Sequence, residues 1–206
     1  TTKNITSSIK GGELRGYLDM RDTEVESILD KMNILSGSFI QEFNSIHRKG
    51  FGIDGSSGLD FFTPMDVTVK HDVDNTGTTV VKMTNASPTT ISVDEFEMEF
   101  TGLNSFILNN LTTNASSGTF TFTTGSTFNI KDSFAVSISG AAISGDKVKF
   151  SVSENAASLI SVSSTITADG QKIAAGTTTS GDGGNALLMA NIQNELAFNS
   201  VTWSSG

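Results

Sequence analysis

The sequence predicts an α+β protein in which two helical segments flank an inserted, mainly antiparallel β domain of sandwich or barrel-like form. Three observations predict it. Apolar residues recur at three- and four-residue steps from Thr23 to Lys49, the period changes to two from Val67 onward, and the helical period returns at Asn185 to Phe198. The implied division is a helical rod segment over 1–60 with its long helix at 23–49, a β domain over 61–180, and a returning helix within 181–206 that packs on 23–49.

The long helix is the element the rest depends on. Val25, Ile28, Leu29, Met32, Leu35, Phe39, Phe43 and Ile46 form one stripe. Thr23 with Glu26 fits a capping box, and Glu24 adds charge where the helix dipole favours it. His47, Arg48 and Lys49 stand by the last carbonyls, and Gly50 can close the helix. A helix of about 40 Å at 1.5 Å per residue is not stable in water alone, so the stripe is expected to be covered. Upstream, Leu14, Tyr17 and Leu18 suggest a separate short helix despite Gly16, and Gly37 suggests a close helix crossing.

Residues 51–62 mix turn formers with Phe51, Phe61 and Phe62, as a packed connector would. Val67, Val69, His71 and Val73 then share one face of a strand, and Asp74 to Gly77 reads as the turn of a hairpin leading to a strand over Thr78–Thr84. The alternation slips near Asp94, as a β-bulge or as a break between strands. Glu95, Glu97 and Glu99 alternate with Phe96, Met98 and Phe100 and read as a solvated face. Phe120 with Phe122, Phe128 with Ile130, Phe134 with Val136 and Ile138, and Val148 with Phe150 and Val152 complete a set of short strands. A Gly- and Thr-rich linker at 176–184 follows. The last helix places Leu188, Ile192 and Leu196 on one side, with Asp182 or Asn185 as its cap.

Composition narrows the function. An apolar content of 36% with 14 Phe supports a core, and a net charge of −9 argues against nucleic acid or an anionic membrane as partner. Zero Cys excludes a disulfide framework and a thiolate nucleophile. No run is long and apolar enough to span a membrane, and the opening TTKNITSSIK lacks an initiator Met and a signal-peptide core, as a piece of a longer chain would.

No catalytic constellation emerges. His47 fits a helix end and His71 a strand, with no second ligand at zinc spacing. Asp72 to Gly77 resembles the opening of a calcium loop, yet Thr76 replaces the expected carboxylate or amide and the twelfth position is Met83 rather than Glu, so a turn is the better reading. Asp54 to Gly58 lacks the Lys of a phosphate loop, and no Gly-x-Ser-x-Gly elbow occurs. Sequons at Asn4, Asn110 and Asn114 are expected by chance in so Asn-, Ser- and Thr-rich a chain. The reading assigns no catalytic, cofactor-binding or metal residues, no cofactor and no enzymatic activity.

Several stretches together resemble the bacterial flagellar hook-filament junction family, the hook-associated proteins FlgK. They are Gly12-Glu13-Leu14-Arg15-Gly16-Tyr17-Leu18 with Arg21-Asp22, and Phe39 with Phe43-Asn44-Ser45-Ile46-His47-Arg48-Lys49-Gly50-Phe51, followed by Asp54-Gly55 and Asp60-Phe61-Phe62. Gly145 to Phe150, Lys172 to Ala175 and Gly184 to Leu188 extend the resemblance, whereas Phe198 to Gly206 departs from it. The resemblance implies a structural subunit exported without a cleaved signal peptide to the extracellular flagellum. There it would contact the hook protein and neighbouring hook-associated proteins and self-associate in a ring. It also implies that this chain lacks the terminal segments that drive assembly and would be monomeric by itself. The rival reading is an extracellular, adhesin-like β module on a helical stalk, which exposed aromatics in a concave patch would favour.

Overall fold

The computed structural model describes residues 9–85, 91–131, 133–178 and 181–194. An α-helix over Glu13–Asp19 (α1) runs through a π turn at Met20–Val25 into the main helix Glu26–His47 (α2). The two helices expected from the sequence are therefore one. The Thr23 capping box does not form, because Thr23 lies inside the helical run and Gly12 occupies the N-cap. The wide i→i+5 turn reconciles the two apolar patterns: one α turn and one wider turn bring Tyr17 and Val25 onto one face, where two α turns would take about 7.2 residues.

Two antiparallel sheets follow. Five strands, β1 (Thr68–His71), β3 (Phe96–Gly102), β4 (Ser105–Asn110), β5 (Ala115–Thr121) and β8 (Lys147–Ser151), lie in the order β1-β8-β3-β4-β5. Three more, β2 (Val80–Asn85), β6 (Thr127–Ile130) and β7 (Phe134–Ser139), lie in the order β2-β7-β6. Their inner faces meet in a core of Phe96, Phe100, Phe106, Phe134, Phe150, Met98, Val136, Ile138 and Val148, all essentially inaccessible to water. Phe96 stacks on Phe150 at 5.4 Å and Phe134 meets Phe150 edge-on at 5.1 Å, geometries that suit the ring quadrupole.

Three strand expectations are corrected. Asp74 to Gly77 does not close a hairpin, because β1 pairs with β8 and β2 with β7, so the turn carries the chain from one sheet to the other. Asp146 holds this crossing, accepting from the N–H groups of Thr76 (2.9 Å), Gly77 (3.0 Å) and Ile143 (3.2 Å). His71 and Val73 are exposed, since the strand ends before the alternation does. The phase slip near Asp94 is the entry to β3, and the sheet irregularities fall later, between Phe100 and Gly102 and between Ile107 and Asn109.

The carboxylate row is not a solvated face. β3 is a central strand, Glu97 is buried, and Lys147 of β8 bridges Glu97 (3.0 Å) and Glu99 (3.7 Å). Helical turns at Ala156–Leu159 (α3) and Ser164–Ala168 (α4) precede the returning helix Gly184–Asn191 (α5), which continues as a 3-10 turn to Asn194. Leu196 and Phe198 lie outside the described residues.

Candidate assembly surface

Two faces of the long helix have opposite fates. The face over Ile34, Gly37, Ile40, Asn44 and His47 packs inward, at three- and four-residue steps. Gly37 sits there because an added Cβ would press on Ser153 Cβ (3.2 Å) and Met65 Sδ (3.3 Å), so the close approach is to the β domain and not to a second helix. Phe39 and Phe43 are half-buried in a small ring cluster with Phe61 and Phe62, at centroid distances of 4.9–5.7 Å.

The rest of the expected stripe is open. Val25, Ile28, Leu29, Met32 and Leu35 are exposed, with Ile28 at 55% and Met32 at 50%, and Leu14, Tyr17 and Met20 extend the same exposure along α1 and the π turn. Leu187 and Leu188 of α5 are exposed as well. Among the described residues the first half of the stripe stays exposed, and α5 meets α2 near its C-terminal end, where Asn185 donates to Ile46 O. Apolar surface on this scale, on a helix roughly 50 Å long, marks an interaction site.

The helix is fixed at its other end by a clasp of polar side chains. Asn44 pairs with the main chain of Phe62 in both directions, donating to its carbonyl (2.9 Å) and accepting from its N–H (2.8 Å). His47, fully buried, accepts from Ala174 N–H at Nε2 (2.9 Å), so its Nδ1 carries the proton and donates to Leu59 O (2.7 Å). Asn185, also fully buried, donates to Ile46 O (3.2 Å) and Ala174 O (2.7 Å) and is not a helix cap. Asp182 instead accepts from Gly184 N–H (2.9 Å) beside the first turn of α5. Gly50 leaves room for this arrangement, since a Cβ there would overlap the Asn185 side chain and the Ala174 carbonyl. The clasp joins the chain leaving the helix to the chain returning from the β domain. In the sequence His47 reads as a cationic or polar group in the last turn of the helix, beside the terminal carbonyls. The one signal for its burial is the 37-40-44-47 spacing, which the stronger Val25-to-Ile46 pattern concealed.

Around the open half of the helix the electrostatics are acidic. A cleft of about 440 Å³ separates it from the β domain, lined by Glu26, Asp30, Glu95 and Glu154 among others. Burial, with the charges of Asp30 and Glu154, raises the Glu95 carboxyl above its ordinary range against the pull of Lys149 and Lys70. Lys70 itself pairs with Glu154 at 2.7 Å. Among the described residues no group of three or more His, Asp and Glu side chains could hold a metal ion, and no helix is long and apolar enough to cross a membrane. Asp54, a member of the Gly-rich stretch, is bound to Lys172 (2.7 Å) and to Ser56 N–H (2.9 Å) and closes a loop. Asn114 lies exposed at the β4–β5 turn with a φ of 56°, and Asn4 lies outside the described residues.

Comparison with known proteins agrees with this geometry. Residues 1–62 match the family described as the flagellar hook-associated protein FlgK helical domain. Over 94 residues the chain is 27% identical to flagellar hook-associated protein 1 of Salmonella typhimurium, and equally to that of Salmonella typhi, an alignment covering 44% of this chain and 17% of each relative. The flagellar hook junction protein FlgK from Burkholderia pseudomallei shares the fold, with a TM-score of 0.61 at 23% identity over 82% of this chain and 30% of that one. Residues 1–62 thus match the helical domain of the flagellar hook-associated protein FlgK family, and the described chain shares the fold of a FlgK structure, while it spans less than a third of the length of these relatives.

Proposed function

We propose that the chain is part of a structural subunit at the junction between the flagellar hook and filament, acting by packing against its neighbours and not by turnover. The observation that carries this reading is the apolar stripe from Leu14 to Leu35, rigidly presented by a helix whose far end is locked by the His47–Asn185 clasp. A surface that is apolar and runs the length of several helical turns fits other helices laid alongside it. In this reading residues 1–60 and 181–206 belong to the rod of the assembly, with 23–49 as its spine, and the β domain of 61–180 faces outward. The partners are the hook protein, neighbouring hook-associated proteins and further copies in a ring. The protein works outside the cell, exported without a cleaved signal peptide, and this stretch alone builds no ring and is monomeric in dilute solution.

The adhesin-like reading finds no support in the relatives or in the surface. Tyr17 lies on the helix, away from the β domain, and Trp203 lies outside the described residues. Deleting the gene tests the proposal. Electron microscopy is expected to find hooks without filaments, and filaments in normal number on the deletion strain would overturn it.

A further inference from the structure

We propose that one side of the β domain, formed by the edges of β5 and β6, is a contact face for a second copy of this chain. The proposal rests on the reading of the protein as an assembly subunit and says which surface of the β domain takes part.

The starting observation is an absence of charge. Between Glu99 and Lys131 the sequence contains no Asp, Glu, Lys, Arg or His, the longest such run in a chain of net charge −9. The topology gathers this run in one place. β5 is the outer strand of the five-stranded sheet and β6 the outer strand of the three-stranded one. Phe128 of β6 packs on Phe106 of β4 (6.2 Å) and on Phe122 just beyond β5 (6.3 Å), so the two edges lie on the same side of the sandwich. Thr119, Thr121, Ser126, Thr127 and Asn129 are exposed there. The opposite edges, β1 and β2, carry Lys70, His71 and Lys82.

Charge then selects the partner. Copies of an acidic chain repel one another wherever their surfaces meet within the screening length, about 8 Å at physiological salt. The neutral side is where two copies approach without that cost. A nucleic acid or an anionic lipid would find no cation along β5 or β6, whose nearest one in sequence is Lys131 in the turn after β6. The contact is made by side chains and short main-chain runs, because β5 is not a continuous template for strand addition. Its ladder with β4 breaks between Ile107 and Asn109, where Leu108 N–H donates to Ser117 Oγ (3.0 Å) and not to a main-chain carbonyl. Such a bulge is a known guard against runaway edge pairing. It leaves Thr119–Thr121 and β6 available for a limited, uncharged contact.

Sedimentation velocity and backbone amide NMR of the chain over a concentration series test the proposal. The expected result is weak, reversible association with amide shifts gathered on Thr119 to Thr127. The pair Thr119→Glu and Thr127→Glu is expected to weaken it at least tenfold, while Thr119→Val leaves it intact. Three outcomes overturn the proposal: absence of association, association indifferent to the two glutamates, or shifts confined to the helix from Leu14 to Leu35. The last would remove this face while leaving the assembly reading in place, which the deletion strain tests separately.

Discussion

His47 illustrates how much of this fold hangs on single polar side chains. Its ring is enclosed, and each nitrogen satisfies a main-chain group from a different segment, Leu59 on the outgoing connector and Ala174 on the returning one. His47→Ala removes buried ring area and leaves a carbonyl and an N–H unpaired, which is expected to cost about 3–5 kcal/mol. Urea unfolding of the variant measures it. Two carboxylates give opposite pH dependences. Asp146 is held below its ordinary value, chiefly by Thr76 N–H and then by those of Ile143 and Gly77, so its contribution is present above the ordinary carboxylate pKa and is lost as pH falls through the lowered one. Glu95 is raised above its ordinary 4.5, chiefly by burial, so its ionised form opposes the native state at neutral pH, and stability returns as pH falls through the raised pKa. Glu95→Gln is therefore expected to raise Tm at pH 7, with the gain vanishing near the ordinary carboxylate range, as a thermal melt series in pH would show. None of these environments was legible in the sequence. A His, an Asp or a Glu has the same letter in water and in a clasp, and the partners lie far away along the chain.

At the scale of elements, the helix and the strands were legible because their periods are strong, and their boundaries and connections were not. The 3.6-residue pattern of Val25 to Ile46 is real, yet over Val25 to Leu35 it marks a face that stays open, since the helix also carries a second, less apolar face over Gly37, Ile40, Asn44 and His47 that the β domain and connector cover. Period gives a stripe but not its partner. Likewise the Asp-, Asn- and Gly-rich turn after β1 announced a reversal, but the sheet to which each strand belongs is fixed by long-range pairings of β1 with β8 and β2 with β7. Two substitutions separate the faces. Gly50→Ala forces a methyl into Asn185 and Ala174 and is expected to destabilise the chain by about 1–3 kcal/mol in urea unfolding. Leu29→Asp with Met32→Asp changes only exposed positions, so stability is expected to move by less than about 0.5 kcal/mol per site. Incorporation into flagella is nonetheless expected to fail, as immunogold labelling would show.

At the scale of the whole molecule, the architecture separates two tasks. The sandwich carries its own aromatic core and supplies stability, while the helix projects an apolar face that nothing in the described chain covers. The clasp joins the two, so that the helix end, the outgoing connector and the returning segment move as one piece. The central claim is that the open face from Leu14 to Leu35 is buried only on assembly. Because the chain has no cysteine, a single Leu29→Cys substitution reports on that face without background, and Leu103→Cys in the exposed β3–β4 turn serves as a control. The decisive measurement is maleimide labelling of both variants, in the isolated chain and in purified flagella. The account requires Cys at 29 to label in the isolated chain and be protected in flagella, while Cys at 103 labels in the isolated chain. Equal labelling at position 29 in both states would contradict it.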